Sequence, residues 1–296
     1  MEDSASLPAV LRQELLRRFA GWLDAPPPDP LEMVRHFTPP RSADEELVTE
    51  VSRVLGAYRG FPEPVRRAMR EPVREMCEGM ASWVARARPG EAAPPPADLA
   101  ELERYCWYVA GTVGWLLTDL FHHANPRWSA ERYARLRELS HGFGVGLQLT
   151  NVIRDIGEDR GRGVSFVPAD LCARMGVAPD LLFRPDQDAA TRAVLGALSA
   201  RAREHLHAGL EYCTTLPRTS WRVRLFCLVP LLLAVRTLKR IGAEPGYAAG
   251  WVRVKLSRRE VYVTLCLSAV VAPSNALCRL IFRRLGPARA PVPAHG

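Results

Sequence analysis

Apolar residues recur at helical spacing along most of the chain. Two stripes near the start show this spacing, the first formed by Leu11, Leu15, Phe19 and Leu23 and the second by Leu47, Val51, Val54 and Leu55. Residues three or four positions apart lie on one face of a helix, so each stripe predicts a helix with one buried side. The alternation of apolar and polar residues that indicates a strand never persists.

The same spacing predicts longer helices at about 62–88, 98–123, 129–160, 188–215, 221–241 and 257–285. Proline lacks an amide donor and clashes with the preceding helical turn, so we expect a kink or break at Pro72 and another at Pro273. Two runs of three prolines predict loops between helices. We therefore expect an all-α fold of eight or more helices, a single domain over residues 1–286, and a short flexible tail at 287–296.

The composition is that of an ordinary globular protein. Of the 296 residues, 48% are hydrophobic and 24% are charged, which excludes a disordered chain and a fibre. The best apolar run, at 226–235, is too short to span a bilayer, and no basic, apolar-cored signal peptide follows Met1. The seven cysteines are dispersed and form no C-x-x-C motif, which favours reduced core thiols in a cytoplasmic protein over disulfides or zinc.

Positive charge is concentrated near the end of the chain. The formal net charge is +8, and residues 251–296 contribute +7 of it, from eight Lys or Arg side chains and one acid, Glu260. Such a patch suits nucleic acid, anionic lipid or a diphosphate, and it is equally typical of a solvated surface. We expect no nucleic-acid partner, because no module of that kind is present, and we expect peripheral binding to the inner face of a membrane.

The clearest candidate chemistry is a row of polar residues, here called the polar ladder: Gln148, Asn151, Asp155 and Asp159. Residues at this spacing share one face of a helix over about three turns. Two carboxylates one turn apart repel each other, so we expect a partner that offsets the repulsion, and a divalent cation is the natural candidate. Mg²⁺ suits the ladder, because it takes oxygen ligands, keeps several waters and shares the phosphates of a substrate.

Three arginines adjoin the polar ladder: Arg154, Arg160 and Arg162. They leave two interpretations open. Arg154 and Arg160 can pair with the phosphate oxygens of a ligand. Alternatively, the arginines pair with the nearby carboxylates on a solvated polar face without any metal. Small and apolar residues at 143–146 place the ladder on an otherwise buried helix, which makes the metal interpretation about as strong as the alternative.

A second segment combines small and aromatic residues. Gly111 and Gly114 lie three residues apart. Because glycine inside a helix costs about 1 kcal/mol relative to alanine, we expect this face to lack side chains so that another group can approach it closely. Either another helix or a long ligand approaches it. The aromatic residues Tyr105, Tyr108 and Trp115 line an apolar tunnel that stabilises a cation, or they form a core between packed helices.

Together these segments resemble the squalene/phytoene synthase family, the head-to-head trans-prenyltransferases. The matching motifs are YCWYVAGTVG at 105–114, GLQLTNVIRDIGEDRGR at 146–162, VP at 167–168, FCLVP at 226–230 and VKLSR at 254–258. Their order and spacing hold over nearly the whole chain. The motifs at 105–111, 116–121 and 226–230 are more similar to the squalene branch of the family than to the carotenoid branch.

The resemblance implies an all-α isoprenoid-synthase bundle around a central apolar cavity. It also implies three overlapping sets of site residues: catalytic Tyr105, Asp155 and Asp159; substrate-binding Gln148, Asn151, Arg154, Arg162 and Phe226; and Mg²⁺-binding Asn151, Asp155 and Asp159. Tyr105 is expected near the departing diphosphate, and Phe226 is expected on the wall of the cavity.

The start of the chain departs from the family pattern. The family has a first D-x-x-E-D motif on an early helix, whereas here only Glu2 and Asp3 match its last two residues. We expect Glu2 and Asp3 to be metal ligands in a copy that is truncated or whose start is assigned too far downstream. The alternative is an ordinary acidic helix start, favoured by the helix dipole.

The resemblance implies condensation of two farnesyl diphosphates through a cyclopropyl diphosphate, with Mg²⁺ and with reduction by NADPH to squalene. Two alternatives stay open. One is a phytoene or dehydrosqualene synthase that loses a proton and uses no NADPH. The other is a non-catalytic homologue that serves as a scaffold because its first metal clamp is incomplete. We expect a monomer.

Overall fold

The structure is a computed structural model that describes residues 7–25, 27, 29, 31–88, 93–244, 247 and 254–286. Within these ranges the chain is helical and contains no strand. The helices are α1 Ala9–Gly21, α2 Leu31–Arg35, α3 Ala43–Thr49, α4 Val51–Gly60, α5 Glu63–Val84, α6 Leu99–Cys106, α7 Thr112–Ala124, α8 Ala130–Gly161, α9 Ala169–Arg174, α10 Asp188–Thr215, α11 Trp221–Ala243, α12 Arg258–Val271 and α13 Asn275–Leu285. The expected all-α class is confirmed, and the tail at 287–296 lies outside the described residues.

The two prolines expected to interrupt helices behave differently. The break expected at Pro72 is wrong, because α5 continues through it. A single proline removes one hydrogen bond from a helix, and α5 has 22 residues and a strongly one-sided apolar face to hold it in place. The break at Pro273 is confirmed, since α12 ends just before it. The hydroxyl of Ser274 then caps α13 by accepting from the amide of Leu277 at 3.3 Å.

The first apolar stripe has the expected buried side, and the second does not. Helices α3 and α4 are separate, because the backbone at Glu50 leaves helical geometry (φ −88°, ψ 12°). Val51 and Leu55 on α4 are buried, whereas Leu47 is 64% exposed and Val54 is 45% exposed. The prediction of one continuous apolar face over 47–55 is therefore wrong.

Helix α8 is the central element, and it is buried along most of its length. It packs closely along α10, where a side chain at Gly146 would come within 2.9 Å of the amide nitrogen of Leu206. The larger hydrophobic core surrounds this pair of helices and includes residues of α6 and α11–α13. A smaller core lies among α1–α4 and is formed by Leu15, Trp22, Met33, Phe37, Val51 and Leu55.

The cysteines are all free thiols, as expected, and six of the seven are buried. Cys266 on α12 is the exception to the expected core location, because it is exposed. Of the helices that the structure describes, none combines the length and the apolar character that a membrane span requires.

Candidate active site

The polar ladder lies on the second half of α8, with its members on successive turns. Asp159 is buried, with a relative exposure of 6%, whereas Gln148, Asn151 and Asp155 are partly exposed. The amide nitrogen Nδ2 of Asn151 lies 3.5 Å from Oε1 of Gln148, a long hydrogen bond between neighbours on the same face. The expected common face is therefore present.

Both ladder carboxylates are paired with arginines. Arg154 donates to Asp155 from Nε to Oδ1 at 2.8 Å and from Nη2 to Oδ2 at 2.6 Å. Arg162 donates from Nη2 to Oδ1 of Asp159 at 2.5 Å. The hydrogen bond to Asp155 raises the pKa of Arg154. These pairs offset the repulsion between the two carboxylates.

Asp159 is held at the helix end by backbone geometry. Gly163 has a φ of +74°, a left-handed conformation that glycine adopts without strain. The amide of Val164 then donates to the carbonyl of Asp159 at 2.9 Å, and the amide of Gly163 donates to the carbonyl of Arg160 at 2.9 Å. This termination satisfies the last carbonyls of α8 and fixes the backbone beneath the buried carboxylate.

Arg160 has a different environment from the other two arginines. Its guanidinium lies over the ring of Phe183, 4.4 Å from the centroid, a cation–π contact. Burial lowers the pKa of Arg160. A role in phosphate binding stays a prediction for this residue.

The donor chemistry of the ladder fits Mg²⁺ that is shared with a ligand. In the part of the chain that the structure describes, no group of three or more His, Cys, Asp or Glu side chains is placed to hold a metal. Asp155 and Asp159 offer carboxylate oxygens, and Asn151 offers an amide oxygen. Mg²⁺ is commonly held by one or two carboxylates together with water and substrate phosphates, so this set suffices when a diphosphate is present. Glu2 and Asp3 lie outside the described residues.

Tyr105 belongs to an aromatic group that includes Phe166, a residue close in sequence to the end of the ladder. It is buried, and its ring centroid lies 4.4 Å from that of Trp83 on α5 and 4.9 Å from that of Phe166. Phe166 follows α8 by five residues, so these contacts join the start of the family motif in α6 to the loop that leaves the ladder. The guanidinium of Arg86 covers the outer side of Trp83 at 4.2 Å.

A π-helical segment, Trp107–Gly111, follows α6 directly and was not anticipated from the sequence. The amide of Thr112 bonds to the carbonyl of Trp107, a wider turn than that of an α-helix. The Trp107 indole donates to Glu75 at 2.7 Å and stacks on His141 at 4.5 Å. Such segments are frequent at functional sites, and this one changes the direction of the side chains that follow Tyr105.

An apolar cavity of about 190 Å³ lies between α7, α8 and α11. It is lined by Val109, Ala110, Val113, Gly114, Leu117, Phe121, Ser140, Phe143, Gly144, Leu147, Tyr212, Phe226, Cys227 and Pro230. The α8 backbone comes very close to the π-helical segment at Gly144, where an added side-chain carbon would lie 2.5 Å from the carbonyl oxygen of Ala110. The glycine therefore sets the separation of the two walls.

The few polar groups on the cavity wall bond within the protein. Ser140 donates to the carbonyl of Arg137 at 2.8 Å. Thr118 donates to the carbonyl of Gly114 at 2.7 Å, so Tyr212 is the donor in its 3.0 Å bond to the Thr118 hydroxyl. The cavity consequently presents an apolar surface.

The aromatic residues named from the sequence are divided between two environments. Phe226 lies on the cavity wall and meets Phe121 edge-to-face at 5.9 Å. Tyr105, Tyr108 and Trp115 are not among the described residues that line this cavity; Tyr105 and Trp115 contact other aromatic rings, and a stabilising role for the three residues stays a prediction. Phe121 was missed, although Ala110, Gly114, Leu117 and Phe121 have the helical spacing that would have identified this wall.

The cavity and the polar ladder are continuous along α8. Gly144 and Leu147 line the cavity, and Gln148 begins the ladder at the next residue. At 1.5 Å per residue, Asp155 is about 12 Å along the helix from Leu147. An elongated ligand with an apolar chain and an anionic head group can therefore bind along one helix.

Comparison with known proteins places this chain among similar sequences and folds. A family model described as Squalene/phytoene synthase matches residues 1–260. The squalene synthase of Cyberlindnera jadinii is 25% identical over an alignment covering 96% of this chain and 59% of that protein. The squalene synthase of Mycosarcoma maydis is 29% identical over 91% of this chain and 48% of that protein. The chain thus spans about half to three-fifths of the length of these relatives.

The solved structures show the fold. The complex of TcSQS with the ligand BPH1237 superposes with a TM-score of 0.76 at 22% sequence identity. The superposition covers 96% of this chain and 78% of that chain. These findings confirm the resemblance drawn from the motifs and the helical architecture that it implied.

Proposed function

Because the chain belongs to the squalene/phytoene synthase family, we propose that it condenses two molecules of farnesyl diphosphate head to head. The observation that carries the proposal is the continuity of the polar ladder with the apolar cavity on α8. The ladder suits the diphosphate, and the cavity suits the prenyl chain. The similarity to squalene synthases over nearly the whole chain supports this substrate class.

The proposed roles at the ladder follow from its donors and charges. Asp155 and Asp159, with Asn151, would hold Mg²⁺, which would supply positive charge to neutralise the departing diphosphate. Arg154 and Arg162 neutralise the carboxylates in the free protein. When the ligand binds, their guanidinium groups turn to the phosphate oxygens, for which their planar donors are well suited.

The proposed role of the cavity is to protect and stabilise an allylic cation. Its wall groups Ser140 and Tyr212 donate to other protein groups, which keeps the surface apolar. Phe226 on the wall is 56% exposed, so the bound prenyl chains themselves complete the exclusion of water. The ring faces of Phe121 and Phe226 stabilise positive charge near them. Tyr105, held between Trp83 and Phe166, is assigned to the neighbourhood of the departing diphosphate.

The proposed product is squalene, formed through a cyclopropyl diphosphate and reduction by NADPH. The similarity to squalene synthases favours this product over the alternative, in which a proton is lost and phytoene or dehydrosqualene results. The site for NADPH is not assigned to residues of this chain.

Incubation with farnesyl diphosphate and Mg²⁺, with and without NADPH, tests the proposal by mass spectrometry of the extracted products. We expect squalene only when NADPH is present. A thirty-carbon product that is unchanged by NADPH would indicate the dehydrosqualene alternative. No product from a folded protein would favour the scaffold function.

Peripheral membrane binding is a separate proposal. Helix α13 carries the exposed basic residues Arg279, Arg283 and Arg284, and the adjacent α12 exposes apolar side chains, with Val263 at 48% and Val270 at 70%. A surface of this kind suits an anionic bilayer. Sedimentation with anionic vesicles tests it: we expect binding at low salt and release at high salt, and no binding at low salt would contradict it.

A further inference from the structure

Tyr247 is a buried tyrosine whose hydroxyl forms no hydrogen bond within the described part of the chain. It follows α11, where its amide donates to the carbonyl of Glu244 at 3.2 Å, and its relative exposure is only 5%. No atom of the described residues forms a hydrogen bond with its hydroxyl. Buried hydroxyl groups are almost always hydrogen-bonded, because the loss of water is otherwise uncompensated. The groups around Tyr247 should therefore explain why its hydroxyl lacks a partner among the described residues.

The surroundings of Tyr247 are the charged half of the polar ladder. Its side chain belongs to the larger hydrophobic core. Burial is the main cause of the raised pKa of Tyr247. The charges of Asp155 and Asp159 raise this pKa further, and the charge of Arg154 lowers it. Tyr247 in turn contributes to the raised pKa of Arg154. The tyrosine is thus anchored in the core and is an electrostatic neighbour of both ladder carboxylates.

The Tyr247 hydroxyl makes no hydrogen bond to the ladder, although it is buried beside it. Both oxygens of Asp155 accept hydrogen bonds from Arg154 instead, at 2.8 and 2.6 Å. Arg154 offers only donors, so it cannot accept a hydrogen bond from a hydroxyl. A molecule that binds beside these groups can supply the acceptor that the described residues do not. A diphosphate is suited to this role, since each phosphate presents several strong acceptor oxygens.

We propose that the Tyr247 hydroxyl donates a hydrogen bond to an oxygen of the diphosphate held at Asp155 and Asp159. The inference rests on the proposed function and deepens it by adding a ligand-binding residue from the connection between α11 and α12. In this role Tyr247 helps to position the anionic head group, while its ring stays packed in the larger hydrophobic core.

The test uses inorganic pyrophosphate as the probe, in the presence of Mg²⁺, with the full chain. Isothermal titration is expected to show about tenfold weaker binding to Tyr247→Phe than to the unmodified protein. The melting temperature without ligand is expected to be unchanged or raised, because the substitution removes an unpaired buried hydroxyl and keeps the ring. Tyr262→Phe, at an exposed tyrosine on α12, is the matched control and should change neither quantity.

Each other outcome has a definite meaning. Equal affinities of Tyr247→Phe and the unmodified protein would overturn the inference, as would a lowered melting temperature with unchanged affinity, which indicates a structural hydrogen bond. Asp155→Asn separates this failure from that of the proposed function. If Asp155→Asn weakens pyrophosphate binding and Tyr247→Phe does not, the diphosphate site stands and the assignment of Tyr247 falls. If the unmodified protein does not bind pyrophosphate, both fall.

Discussion

Arg154 grips its neighbour Asp155 with two hydrogen bonds, of 2.8 and 2.6 Å, although the two residues are adjacent in the chain. The pair bends the guanidinium back along α8 onto the ladder face. One turn further along, Arg162 holds Asp159 in a similar way. Two like charges at this spacing would destabilise the helix, so the arginines allow the carboxylates to persist on a largely buried element before any ligand arrives.

Removal of the buried carboxylate is predicted to abolish most activity. We expect Asp159→Asn to lower the rate of pyrophosphate release from farnesyl diphosphate by at least about a hundredfold, because groups that stabilise a departing diphosphate commonly supply several kcal/mol. Asp188→Asn is the control, since Asp188 forms an exposed ion pair with Arg192 at 2.8 Å. A similar loss in both variants would contradict a specific role for Asp159.

The close approach at Gly144 predicts a marked difference between two glycine substitutions. In Gly144→Ala the new methyl group would lie 2.5 Å from the backbone oxygen of Ala110, which cannot move freely, so we expect destabilisation by about 1–3 kcal/mol. In Gly196→Ala, within α10, nothing lies within 4 Å, and we expect a gain of about 0.5–1 kcal/mol. Urea unfolding measures both, and equal effects would refute the assigned packing.

Phe121 is predicted to limit the length of the substrate. Its ring lies on the cavity wall against Phe226, so Phe121→Ala should enlarge the cavity. We expect the ratio of turnover on geranylgeranyl diphosphate to turnover on farnesyl diphosphate to rise about tenfold, a change typical of an altered apolar pocket. Phe61→Ala, at a residue that is 45% exposed, should leave the ratio unchanged. An unchanged ratio in Phe121→Ala would show that the end of the prenyl chain does not lie against Phe121.

Glu103 predicts a pH dependence of stability. Partial burial favours its protonated form, but His205, 3.1 Å away, and Arg201 outweigh burial and lower the pKa of Glu103 from 4.5 to about 2. A carboxyl group whose pKa is lower in the folded state stabilises the protein at pH values above the pKa of the unfolded state. This contribution is lost as the pH falls from about 4.5 towards 2.

Glu103→Gln should therefore be less stable than the unmodified protein at pH 7, by about 1–2 kcal/mol, because solvent screens a partly exposed pair. The difference should shrink as the pH falls below 4.5, where the unmodified side chain also becomes neutral. Urea unfolding at pH 7, 4.5 and 3 measures it. A constant difference across these pH values would show that the charge of Glu103 is not the cause.

The sequence predicted the long helices well, because their apolar residues repeat over many turns. The prediction failed where the backbone conformation of one residue ends a helix. Glu50 ends α3 and separates Leu47 from the rest of its stripe, and nothing in the spacing of the apolar residues reveals this. The break predicted at Pro72 is the opposite case. There the helix continues, because the packing of a long helix outweighs a single lost hydrogen bond.

The site was predicted only where its members are close in sequence. The polar ladder follows from helical spacing and family motifs alone. The cavity depends on how α7, α8 and α11 pack, so Phe121 was missed even though its helical spacing was available. Tyr247 is distant from Asp159 in sequence, and only the folded chain brings the two together.

The most direct test of the ladder's role is a crystal structure with the unreactive analogue farnesyl thiodiphosphate and Mn²⁺ as an anomalous substitute for Mg²⁺. The account predicts an anomalous peak at coordination distance from carboxylate oxygens of Asp155 and Asp159, with the prenyl chain in the cavity beside Gly144 and Phe226. An ordered analogue elsewhere, with both carboxylates still bound only to their arginines, would contradict it.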